Sequence, residues 1–113
     1  MRRVTLALAL AVSACAQPGA YPATDHAGRV YPLECRRDLS NVQVPVIFTS
    51  EAHMLSTASA AELHRPANAR LYGLHVQQLG SSIIMVDETL RGWVRDDVIH
   101  HERCHEVAGR WHT

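Results

Sequence analysis

Apolar positions along this chain change their spacing several times, and each change marks a boundary. After the basic start Met1-Arg2-Arg3, Val4 to Val12 forms an almost continuous apolar run. It is too short to span a bilayer and has the proportions of a secretory signal. Ala16 to Arg29 then carries Pro, Gly and Ala with almost no large apolar side chain, which predicts a flexible tether. Val42 to Phe48 is rich in β-branched residues, and Pro45, which has no N–H to donate, places that predicted strand at an edge or a bulge. Ser59-Ala60-Ala61-Glu62 has capping-box spacing and Pro66 forbids a helix from continuing past it, so a short helix is expected between about Ser50 and His64. Arg70 to Gln77 and Ser81 to Asp87 flank Gln78-Leu79-Gly80, the pattern of two strands joined by a turn. Beyond Gly92, the apolar positions Val94, Val98 and Ile99, with Asp96 and Asp97 near the start and Gly109 at the end, predict a helix from Val94 to Ala108. The sum is an α+β domain: a small antiparallel sheet with a C-terminal helix.

Length and charge narrow the function. The 113 residues allow one small domain, and eleven arginines with no lysine balance eleven acidic residues. A chain without basic excess is a poor candidate for binding nucleic acid through its phosphates, and no nucleic-acid partner is expected. Without Arg2 and Arg3, nine arginines face eleven acids, a formal charge of −2 that favours solubility.

The apolar run ends in Val12-Ser13-Ala14-Cys15. A small-residue site followed directly by cysteine resembles the lipobox of bacterial lipoproteins. That resemblance implies cleavage before Cys15, lipidation of its sulfur and an anchored soluble domain. With Ala16 rather than Asp after the cysteine, it further implies sorting to the outer membrane, facing the periplasm. The alternative is ordinary secretion with cleavage after Ala14 or Ala16, and both place the domain outside the cytoplasm. The expected organisation is a signal peptide over 1–14, a lipid-anchored tether over 15–30 and a folded domain over 31–113. The two cysteines left, Cys35 and Cys104, form an even pair in an oxidising compartment, where a disulfide is plausible. It would close a loop of about 70 residues and contribute about 3–4 kcal/mol, a large share for so small a domain.

The predicted C-terminal helix contains His101-Glu102-Arg103-Cys104-His105. Four residues advance a helix by about 400°, so His101 and His105 stand about 40° apart, one turn above the other, and their imidazoles can converge on one ion. Glu102, about 100° round from His101, can reach past that ion to a water molecule, where a general base is needed. Zinc requires a third protein ligand if the fourth position is to stay open, and His112 is the candidate if a left-handed Gly109 turns the chain back. Cys104 is also close enough in angle to be weighed as a thiolate ligand, against its pairing with Cys35. His100 reads as a neighbour that supports a ligand, Glu106 as a helix-end charge, and His53, His64 and His75 as scattered groups outside the site. Trp93 and Trp111 read as core or rim anchors.

The string from His101 to His112 resembles the active-site consensus of zincin metallopeptidases. In the metzincin branch the pattern is H-E-x-x-H-x-x-G-x-x-H, and here the glycine and the last histidine each come one residue later. The resemblance implies a zincin-like active-site helix, Zn2+ held by His101, His105 and His112, Glu102 as catalytic base, and a peptide or protein substrate. It also implies that an extended substrate could add as a strand beside Tyr72-Gly73-Leu74. Two other readings remain: a non-catalytic zinc-binding or interaction lipoprotein, in which the same ligands hold the fold together, and an inhibitor or exclusion lipoprotein whose histidines are incidental.

Overall fold

A computed structural model describes residues 21–58 and 70–112. Cys15, the signal and the start of the tether lie outside the described residues, as does the Ser59–Glu62 capping box. The fold is α+β: strand β1 (Val46–Thr49), helix α1 (Glu51–Thr57), strands β2 (Gly73–Gln78) and β3 (Ser81–Asp87), and helix α2 (Gly92–Ala108), preceded by a 3-10 turn at Leu33–Cys35. Among the described residues no helix is long and apolar enough to cross a membrane.

The hairpin forms as its pattern predicts. Its loop is Leu79-Gly80, and both residues have positive φ, 49° and 80°, the backbone hand of a tight two-residue turn between right-twisting strands. β3 is the central strand and pairs antiparallel with β2. Its other neighbour corrects the expected antiparallel sheet: β1 runs parallel to β3, with Val46 opposite Ile84 and Phe48 opposite Val86, so the sheet is mixed. The route from β1 to β3 passes through α1 and β2, which returns the chain to the same end of the sheet and lets the two strands run the same way. Pro45 lies just ahead of β1, on an edge strand, where its missing N–H is tolerated.

Alternation then sorts the core. Leu74, Val76 and Met85 pack with Met54 of α1, while Ile84 and Val86 pack with Val98 of α2. Ser50 caps α1 by accepting the His53 N–H at 3.1 Å. α2 begins two residues earlier than its sequence suggests, which moves Asp96 and Asp97 out of the first turn and frees Asp97 for another role.

The far side of α2 is covered by the N-terminal segment. Tyr31, Cys35, Leu39 and Cys104 form a third buried cluster, with Trp111 packed against it, and Cys35 and Cys104 are joined by a disulfide with Cα atoms 5.6 Å apart. The described part of the expected tether is therefore not a free linker. Thr24 bridges to Val30, Asp25 is only 6% exposed, and this turn packs on α2. The folded region includes it. Trp93 also departs from expectation: it is largely exposed rather than an anchor.

Candidate metal centre

Helix α2 places His101 and His105 one turn apart, as the 3.6-residue period requires. It stops at Gly109, whose N–H bonds to the His105 carbonyl. Gly109 has φ +70° and ψ −145°, so the exit is not the expected left-handed helical conformation; it lies in a region open to glycine because there is no Cβ. The result still brings His112 back over the helix. His112 Nε2 lies 2.9 Å from His101 Nε2 and 3.0 Å from His105 Nε2, and one ligand atom from each of the three histidines falls within 4.8 Å of the others.

The opposite ring nitrogens decide what this convergence means. His105 Nδ1 is 2.9 Å from the Gly109 carbonyl oxygen, which can only accept, so Nδ1 carries the proton and Nε2 presents a lone pair. Asp25 Oδ2 imposes the same tautomer on His101, 2.9 Å from its Nδ1. Two lone pairs thus face a third imidazole nitrogen, which can donate to at most one of them. A shared cation satisfies all three. Zinc–nitrogen bonds of about 2.0–2.1 Å put tetrahedral ligand atoms about 3.3 Å apart, a few tenths of an ångström more than the two separations from His112 Nε2.

Burial keeps the His101 and His105 rings neutral, as ligation demands. Burial, reinforced by His105 and His112, pushes the pKa of His101 down to about 3 despite Asp25. Burial likewise lowers His105 to about 4. For Asp25, burial opposes ionisation, but the Arg29 and Ala27 amides and the His101 ring outweigh it and hold its pKa below the ordinary carboxylate value.

Glu102 is buried beside the cluster, with Oε2 3.9 Å from His101 Nε2. Burial pushes its pKa up to about 8. Strand β2 crosses directly over it at Gly73, where an added Cβ would lie 2.7 Å from Val98 Cγ1, 3.1 Å from Glu102 Cγ and 3.2 Å from Glu102 Oε2. Only glycine permits that approach.

The structure thus brings His101, Glu102, His105 and His112 together and pairs Cys104 with Cys35, away from a ligand role. His100 lies apart from the cluster: its Nε2 donates to the Cys35 carbonyl at 2.6 Å, and Tyr21 stacks on its ring at 4.4 Å. Glu106 accepts from His75 Nε2 at 2.6 Å, which brings His75 to 6.3 Å from the His105 ring. Trp111 packs against His101 at 4.9 Å and His105 at 5.6 Å. The residue bonded to the cluster that sequence reasoning misses is Asp25, which reads as part of the tether. Its signal is local: Asp25 Oδ1 accepts the Ala27 and Arg29 amides at 2.9 and 2.8 Å, and Gly28 has φ +83°, so Asp25-His26-Ala27-Gly28 is an Asx-type turn.

Compared with models of protein families, with curated proteins and with solved structures, the chain has no match.

Proposed function

We propose that this protein is a zinc-dependent hydrolase of peptide bonds that works outside the cytoplasm, held to the cell envelope through Cys15. The observation that carries the reading is the convergence of three imidazole nitrogens, two of them on rings whose opposite nitrogens are tied to Asp25 and to the Gly109 carbonyl. Carboxylate–histidine support of this kind fixes the tautomer and raises the basicity of a ligand. When bound, zinc would act as a Lewis acid that polarises a carbonyl and lowers the pKa of water toward neutrality.

The chain's own groups would do the rest. His101, His105 and His112 would hold the ion through their ring nitrogens. Glu102 accepts a proton at its carboxylate from the attacking water and returns it to the departing amine. With a cation bound beside it, Glu102 would hold the anionic form a base requires, against the burial that raises its pKa. Gly73 lets β2 cover this carboxylate and exclude water from its apolar side. The Cys35–Cys104 disulfide supports an oxidising compartment.

The test is metal content and peptide turnover of the purified protein. About one zinc per chain is expected, lost in His101→Ala and His112→Ala; Glu102→Gln should keep the metal and lose at least about a hundredfold in turnover. A wild-type chain that takes up no zinc would end this reading. A zinc-loaded chain that unfolds on chelation and hydrolyses nothing would favour the ion as a structural element.

A further inference from the structure

The Thr24–Val30 turn carries a second side chain, besides Asp25, to the ring of His101. His26 is fixed to Asp97 twice, since its backbone N–H and its Nδ1 each lie 2.7 Å from Asp97 Oδ2. Tyr31 donates its hydroxyl to the other oxygen, Oδ1, at 2.9 Å. A carboxylate oxygen accepts, so Nδ1 of His26 carries a proton and, in the neutral imidazole, Nε2 offers a lone pair. Among the described residues Nε2 has no hydrogen-bond partner.

Position gives that bare nitrogen its meaning. The His26 ring lies 6.2 Å from the His101 ring and meets Tyr72 edge-on at 5.7 Å. Tyr72 immediately precedes Gly73, where β2 touches Glu102. His26 therefore neighbours both the first ligand and the residue that leads into the strand over the base, with its side chain 17% exposed. Asp97 would keep two donors, the His26 amide and the Tyr31 hydroxyl, without the imidazole.

We propose that His26 is a substrate-contacting residue whose Nε2 accepts a hydrogen bond from an N–H of a peptide or amide held at the metal centre. This rests on the hydrolase reading and narrows it to substrates carrying a donor beside the scissile carbonyl. Esters lack that donor, and a site built to bond a group discriminates against analogues without it.

Two zinc-chelating probes separate the possibilities. Acetohydroxamate offers an N–H and N-methylacetohydroxamate does not, and calorimetry on the zinc-loaded protein gives both affinities. Wild type should prefer the first by about tenfold, the scale of one hydrogen bond. His26→Ala should bind both alike with its zinc stoichiometry unchanged. His26→Phe, which keeps a ring against Tyr72, carries the same expectation if the alanine variant does not fold. A preference that survives in a folded, zinc-loaded His26 variant would overturn the role of His26 while leaving the hydrolase reading intact, as would equal binding of both probes by wild type. If wild-type protein binds zinc but neither probe, both the hydrolase reading and this one fall.

Discussion

The hairpin and the N-terminal turn lie against the same helix and are held by opposite kinds of force. β2 and β3 bury an alternating set of apolar side chains, Leu74, Val76, Ile84, Met85 and Val86, on the two faces of the sheet. The turn from Thr24 to Val30 buries an acid instead: Asp25 bonds His101 of the helix, and Asp97 of the helix bonds His26 and the adjoining Tyr31. Apolar alternation builds a scaffold that tolerates approximate geometry; polar contacts build a site that does not. The disulfide secures the second region because hydrogen bonds exchanged with water contribute about 1 kcal/mol each.

The contrast breaks most clearly when each region loses its principal support. Replacing both Cys35 and Cys104 with serine should cost about 4 kcal/mol of stability, from the 69-residue separation they close. It should weaken zinc binding at the same time, because it loosens the segment that carries Asp25. Ile84→Ala should cost about 3 kcal/mol through a cavity in the other region and leave zinc affinity unchanged in the folded fraction. Denaturant titration with and without zinc distinguishes the two, and an Ile84→Ala chain with weakened zinc affinity would erase the division.

Asp25→Asn sharpens the comparison at its polar end. Zinc affinity should fall by about 10- to 100-fold, the usual effect of losing a partner behind a ligand, while the melting temperature of the metal-free chain moves little; competition with a colorimetric chelator reads the first. Gly73→Ala joins the two regions, since the new methyl would press on Val98 Cγ1 at 2.7 Å and on Glu102. It should cost about 1–3 kcal/mol by overpacking and lower turnover more than zinc content. The smallest effect lies at the hairpin tip: Leu79 holds φ 49° while fully exposed, and Leu79→Asn should gain up to about 1 kcal/mol, seen as a higher melting temperature with zinc binding unchanged.

Legibility in the sequence divides along the same line. The hairpin, the C-terminal helix and the ligand spacing are visible there because period 2 and period 3.6 are local properties of the chain. His112 is reachable because Gly109 announces a turn, although the backbone it adopts is not the left-handed helical one expected. The parallel pairing of β1 is hidden, since no local pattern states which strand will be its neighbour. Asp25, His26 and Asp97 are hidden for a related reason: their partners are 76 or 71 residues away, and a short polar segment rich in Gly, Ala and Pro looks alike whether it is free or docked. His75 reads as scattered in the sequence, yet the pleat that points Gly73 at Glu102 points His75 at Glu106.

Cys104 stands between the two helical ligands in sequence, three residues after His101 and one before His105. As a free thiolate it would be a donor suited to a soft or borderline ion, and so would Cys35. Oxidation withdraws both sulfurs from that contest. A chain whose disulfide is already formed would offer an incoming cation the imidazoles of His101, His105 and His112 without either sulfur.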